Sequence, residues 1–388
     1  MSRRVYLTTA ILTPALLLAL ATPALAYVGP GAGFAIVTSF LVVFGAIALA
    51  FVYLAAWPFR LALRMAMGRL AFRRARVRRL VILGLDGIDA GRAQRMMAAG
   101  KLPNMQSLHF LPLGTTLPAL SPVAWSTFQT GLEPSSHGLF DFLRPARPAY
   151  AAELSSVTTT MPPRSLKIGR YCIPVGRPRV RLRRRGVPFW KILGKQGIFS
   201  AILRVPITFP PEKFRGVGLS AMCVPDLRGT QGTFTLFSVA GSERRSEGGI
   251  QVPVRVSGGK VETVITGPPD PLRVDHPDLT VPLTVRLGDS PDRAEISIAG
   301  RRLALDRARH TEWVEIVFKA SLGVKVRGIV RFCLIDGSAD GFRLYASPVH
   351  FDPEKPAQPI SQPAAYSPYL AKRFGPFATL GLAEDTWA

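Results

Sequence analysis

Two long stretches of this chain lack acidic residues. Residues 1–79 contain ten arginines and no aspartate or glutamate, and Arg164–Arg185 contains nine basic side chains and no acidic one. Together they hold 19 of the 24 net positive charges, so the rest of the chain is only mildly basic. Charge set beside a hydrophobic segment points to anionic lipid, whereas a diffuse basic surface points to nucleic acid, which is not expected here as a specific partner. Cysteine is scarce as well. Cys172, Cys223 and Cys333 form no C-x-x-C pair, so there is no zinc-finger signature and no disulfide framework. Histidine occurs five times in 388 residues, and never after Asp352. Apolar residues, in contrast, make up 48% of the chain, enough for two or three domains with real cores.

What is present begins with a membrane-type leader. Arg3 and Arg4 precede the apolar run Ala10–Ala21, and Ala24-Leu25-Ala26 completes the order of a bacterial export signal over residues 1–26, with Tyr27 following the cleavage position. The tight loop Val28–Gly33 leads to Phe34–Trp57, 24 residues without a charge. As a helix this segment is about 36 Å long, enough to cross a hydrocarbon core of about 30 Å. Tyr53 and Trp57 stand where interfacial aromatics belong. Residues 58–79 alternate Leu, Met and Phe with eight arginines, either as a helix lying on anionic lipid or as a plain stop-transfer flank. The positive-inside rule places this block, and the domain after it, on the cytoplasmic side of a bacterial inner membrane, with one or two spans.

Leu80–Leu85 is a continuous apolar run, as in a central parallel strand buried on both faces. Asp86-Gly87 follows where open α/β sheets place their chemistry. A carboxylate there can bind a cation, or it can simply cap the next helix. Asp89 is better placed for capping, just before Ala90–Gly100. Ser121-Pro122 has the form of an N-cap and N1 proline, and Gly131 closes that helix. That accounts for Ser121 structurally. A serine at a helix amino terminus is also placed to meet a phosphate and, once activated, to attack phosphorus. No G-x-S-x-G surrounds it, which disfavours acyl transfer.

Four blocks in order, LGLDGID (Leu83–Asp89), GKLPNMQSL (Gly100–Leu108), SPVAWSTFQTG (Ser121–Gly131) and EPSSHGLFDF (Glu133–Phe142), resemble the amino-terminal half of the alkaline phosphatase superfamily. Its type I phosphodiesterase/nucleotide pyrophosphatase-like branch is the most similar. VPFWKILGKQG (Val187–Gly197), RVPITFPP (Arg204–Pro211) and VPDLRGTQGTF (Val224–Phe234) extend the resemblance, which runs from Arg79 to the carboxyl end. It implies an alkaline-phosphatase-like α/β fold with a mostly parallel sheet flanked by helices. It also implies a phosphate-ester or phosphodiester substrate, and a divalent metal, zinc or manganese. Asp86 matches the first metal-binding aspartate, and Ser121 matches the nucleophile and a metal-facing oxygen. Ala124 stands where some relatives have an asparagine that contacts the phosphoryl group. Ser126 and Thr127 are alternative hydroxyls on the same helix, and His137 matches a block whose role is structural.

Further along, Gly186–Phe199 reads as a helix and turn, Phe199–Val205 as a strand, and Arg228 in PDLRGTQG as a candidate phosphate-binding arginine or a loop ion pair. Arg177–Arg185 reads as a solvated basic loop. Period-2 segments at 251–256, 260–266, 281–287, 294–298, 312–318 and 324–333 predict an antiparallel β insertion. Asp275-His276, in a Pro-rich loop there, reads as incidental.

The organisation expected is therefore a signal-like segment 1–26, a transmembrane helix 34–57, a basic segment 58–79, an α/β core 80–235, a β insertion 236–351 and a return to the core over 352–388. In the superfamily the sheet continues further and supplies more Asp and His ligands, so the resemblance implies a truncated first half in the first place, or else a separately encoded second half or a degenerate protein that binds without turnover. Three functions stay open. The chain is a membrane-anchored metal-dependent phosphohydrolase or phosphodiesterase, a catalytically inactive membrane-tethered binding protein, or a phosphomutase or phosphotransferase.

Overall fold

The structure is a computed structural model that describes residues 30–74, 77, 79–146, 151–176, 178–230, 232–239 and 249–379. The signal-like segment 1–26 lies outside the described residues. Two compact units divide the chain, Met1–Met67 and Gly68–Ala388.

Helix α1 (Pro30–Arg74) runs for 45 residues. It begins inside the segment expected to be a loop, because Pro30 is compatible with a first helical turn, where its missing N–H is not needed. It passes through Pro58 without ending, so the basic segment continues the apolar helix instead of forming a separate one. Within it, Thr38–Leu70 is 33 residues long and contains an 18-residue stretch of mean hydropathy 2.4, and side chains such as Phe44, Leu49 and Val52 are exposed. At ~1.5 Å per residue that is about 50 Å, longer than a bilayer core of ~30 Å. One helix is thus apolar and long enough to cross a membrane.

The second unit is rich in strands. A four-stranded meander joins Lys260–Pro269, Asp278–Leu287, Arg293–Ile298 and Arg301–Asp306 in sequence order, each pair antiparallel. Its alternation is visible in the buried set Leu279, Val281, Leu283 and Val285 on one strand, and Ala294, Ile296 and Ile298 on the next. Val314–Lys319, Lys325–Val330 and His350–Phe351 make a three-stranded sheet, and Ile316, Phe318 and Val330 from it join the same core. A further sheet orders Ile250–Val254, Thr235–Val239, Arg343–Ala346 and Phe332–Asp336. The strand Arg301–Asp306 was not expected, because the arginines at 301 and 302 obscure its alternation.

Smaller elements carry the motif-bearing part. They include helices α2 (Ala90–Ala98), α3 (Pro103–Gln106), α4 (Ser121–Thr130), α5 (Pro134–His137) and α6 (Phe189–Lys195), with α7 (Tyr366–Phe374) nearer the carboxyl end. Ser200–Val205 pairs in parallel with Gly216–Ser220, which pairs on its other side with Ser361–Gln362. Within the Pro-rich passage after Asp352, Ser361–Gln362 thus lies beside Gly216–Ser220.

The mostly parallel sheet expected from the sequence is not what these residues form. Two strand pairs are parallel, Ser200–Val205 with Gly216–Ser220 and Thr235–Val239 with Ile250–Val254, and the others are antiparallel. Leu80–Leu85 is extended but unpaired among the described residues, and Leu80, Val81 and Leu83 are each at least 75% exposed. A strand buried on both faces needs ladder partners and covering helices. Here neither Leu80–Leu85 nor the outer edge of Ser200–Val205 has a described strand beside it.

His350 lies in the larger core, 3% exposed and edge-on to Trp313 at 5.5 Å. Burial, with Arg331 adding to it, pushes its imidazole down to about 4 from 6.5. The unfolded chain therefore takes up this proton more readily, so stability is complete above pH ~6.5 and falls as the pH drops from there toward 4, by up to about 3 kcal/mol. Urea unfolding across that range is expected to show the loss, and His350→Gln to flatten it.

Candidate functional site

The site is set by the chain turn after Leu85. Gly87, at φ +69°, takes the left-handed conformation that a residue with a side chain adopts only at a cost, and so swings the backbone away from the extended run. Asp89 then caps α2, its carboxylate accepting from the Arg92 N–H. The capping function belongs to Asp89, and Asp86 is left for other work.

Asp86 is exposed and reaches across 35 residues to helix α4. Ser121 Oγ donates to Asp86 Oδ2 at 2.8 Å, and Trp125 Nε1 donates to Asp86 Oδ1 at 3.0 Å. Residues 121 and 125 are four apart, so they share one face of the helix. The two residues singled out in the sequence thus meet, and a third that the sequence reading missed joins them. The signal that could have found Trp125 is its i+4 spacing from Ser121.

Ser121 is not the N-cap expected. Leu120, in extended conformation, occupies that position, and Pro122 lies in the first turn with no N–H to donate. The Val123 and Ala124 N–H groups both turn back to the Leu120 carbonyl at 3.0 Å. The helix end therefore presents its dipole more than a set of free amides. Gly131 ends the helix in the left-handed conformation, as its position suggested.

The rival hydroxyls are occupied. Ser126, fully buried, donates to the Pro122 carbonyl at 2.6 Å. Thr127 Oγ1 lies 3.2 Å from His137 Nε2, while His137 Nδ1 accepts the Leu139 N–H at 3.1 Å. An accepting Nδ1 places the proton of the neutral ring on Nε2. Burial first, and then Arg184, holds the His137 pKa below its usual value, which keeps it neutral and structural.

The basic stretch 177–185 is not simply a solvated loop. Arg179–Leu182 is a strand paired with Val157–Thr160, and Arg183 donates to Thr158 at 3.0 Å. Arg184, with 1% of its side chain exposed, bonds Glu212 at 2.6 Å, and Lys191 bonds the other Glu212 oxygen at 2.6 Å. A buried guanidinium needs such a partner, and its neighbours supply one.

Arg228 is half-buried in the loop that follows Cys223. Burial raises the pKa of Asp226 there, opposed by bonds from the Thr230 hydroxyl and N–H and by Arg228. No hydrogen bond or ion pair among the described residues joins Arg228 to Asp86 or Ser121. Cys223 is inert, its thiol pushed up to about 12 by burial. Asp275 pairs with Arg273 at 2.5 Å, and His276 Nδ1 lies 3.1 Å from the Asp270 carbonyl, so both serve the loop.

A catalytic zinc takes three protein ligands. Asp86 and Ser121 offer two donors, and among the described residues no group of three or more His, Cys, Asp or Glu could hold a metal ion. By themselves these residues do not fit the cation.

Removing Arg184 leaves Glu212 without its buried partner, whereas Lys191 is 30% exposed. Arg184→Ala is expected to cost about 3 kcal/mol and Lys191→Ala less than about 1 kcal/mol, read from chemical denaturation midpoints.

Comparison with curated proteins and with solved structures returned no match. Residues 80–233, the segment that carries Asp86, Ser121 and Trp125, match the family model of type I phosphodiesterase / nucleotide pyrophosphatase, consistent with the alkaline phosphatase superfamily.

Proposed function

We propose that this chain is a membrane-anchored phosphoester hydrolase acting on phosphate monoesters or diesters, with Ser121 as its nucleophile. The observation that carries the reading is the hydrogen bond of 2.8 Å from Ser121 to Asp86 at an accessible helix terminus, within a segment matching a phosphodiesterase family.

Ser121 Oγ bonds to phosphorus in line with the departing ester oxygen, which leaves with the electron pair of the broken P–O bond and takes a proton from water. The Ser121 proton passes along its hydrogen bond to Asp86 Oδ2. Water then attacks the phosphoseryl ester, or the nucleotidyl ester formed from a diester, and loses a proton to solvent; the Ser121 oxygen leaves with the electron pair of its P–O bond and takes its proton back from Asp86. Transfer to an alcohol in place of water would make the same site a phosphotransferase or phosphomutase.

The superfamily resemblance adds a divalent cation, zinc or manganese, with Asp86 as one ligand. Such a centre needs ligands besides Asp86 and Ser121, as well as the α/β core proposed for 80–235. Arg228 would serve substrate phosphate only if its loop came to the Asp86–Ser121 pair.

Aryl phosphate and bis-aryl phosphodiester turnover, measured with zinc or manganese, is expected to fall by about 1,000-fold or more in Ser121→Ala. Unchanged turnover in that variant removes Ser121 from the mechanism. The anchor rests on the exposed apolar helix within Thr38–Leu70. The intact chain should resist alkaline carbonate extraction from membranes, and Leu49→Arg, which adds about 3 kcal/mol to insertion, should release it.

A further inference from the structure

We infer that Trp125 is a positioning residue that holds the Asp86 carboxylate in register with Ser121, an inference that rests on the hydrolase reading above. An aspartate carboxylate turns easily, because rotation about its last bond has a broad, shallow profile. One hydrogen bond to one oxygen leaves that rotation free. Two bonds, one to each oxygen and both from the same rigid helix, stop it. Asp86 has this arrangement, with Oδ2 taken by Ser121 at 2.8 Å and Oδ1 by the Trp125 indole at 3.0 Å. Because both donors sit on α4, the carboxylate plane is tied to the helix that carries the nucleophile.

The indole is itself held from two sides, one of them braced further. A Cβ on Gly84 would lie 2.4 Å from Trp125 Cη2, so the ring closes over a backbone position that only glycine leaves open. Phe128 packs edge-on against it at 5.6 Å, and Phe189 of helix α6 packs edge-on against Phe128 at 5.7 Å. Gly84 thereby brings the extended run that ends at Asp86 within reach of the indole N–H. A tryptophan that merely filled space would need neither the glycine nor the hydrogen bond.

Two substitutions separate donor from bulk. Trp125→Phe removes the N–H and part of the ring. Replacing the Trp125 side chain with its benzothiophene isostere removes the N–H and keeps the shape. In the full chain, assayed with bis-aryl phosphodiester and zinc or manganese, both should lower kcat by roughly tenfold to a hundredfold and leave KM within about twofold. The Trp125 indole resonance of the wild-type chain, assigned by its absence in Trp125→Phe, should move upfield in Asp86→Ala. Wild-type kcat in the isostere overturns the positioning role, and so does a loss confined to Trp125→Phe. A resonance unmoved by Asp86→Ala removes the Trp125–Asp86 bond whatever the activity. Turnover unaffected by Ser121→Ala removes the hydrolase reading instead, so the two failures are distinguishable.

Discussion

A single carboxylate, Asp86, ties the end of an extended apolar run to the first and second turns of helix α4. Everything distinctive about the site depends on that tie. Gly87 frees the carboxylate by turning the backbone, Asp89 takes over the capping of α2, and Gly84 admits the indole that fixes the second oxygen. The polar groups around the pair have other obligations. Ser126, Thr127 and His137 are bound to each other's surroundings, and Arg184 is bound to Glu212, so α4 and α5 form a rigid frame behind an accessible serine.

Most of the buried apolar material lies elsewhere. The largest core is built from the strands between Thr235 and Phe351, with contributions from Phe209, Leu219 and Ile360. That core is made by antiparallel ladders of local connectivity, whereas the site-bearing segment contributes few of its residues. The apolar side chains of Leu80–Leu83 and Leu85 remain exposed directly before Asp86. The main core of the unit thus lies in one part of the chain and the Asp86–Ser121 pair in another, and the pairing of Ser361–Gln362 with Gly216–Ser220 is one of the places where the two parts meet.

Charge is distributed in a related way. The arginines at 60, 64, 69, 73 and 74 lie within the long helix Pro30–Arg74, among whose described side chains the large apolar ones are exposed. In the second basic stretch, which looked equivalent in composition, Arg184 is put to structural use. Arg184 is buried against Glu212, whereas Arg183 stays exposed and donates to Thr158. Identical residue types in two runs therefore have different fates, according to whether an acidic or hydroxyl partner lies within reach in the fold.

What the sequence determined by itself was set by local periodicity and local geometry. Period-2 alternation located the strands at Asp278–Leu287, Arg293–Ile298 and Val314–Lys319, an uncharged run marked the long helix, and Asp89 and Gly131 marked helix ends. Motif order brought out Asp86 and Ser121 as the pair to watch. Only the tertiary structure decided the rest, because it depends on residues far apart in the chain. It moved the N-cap from Ser121 to Leu120, left Leu80–Leu85 without a ladder, and buried Arg184 against a glutamate 28 residues away. It also turned Trp125 toward a carboxylate 39 residues before it. A side chain's hydrogen-bond partner is a matter of distance in space, and no periodicity in the sequence encodes it.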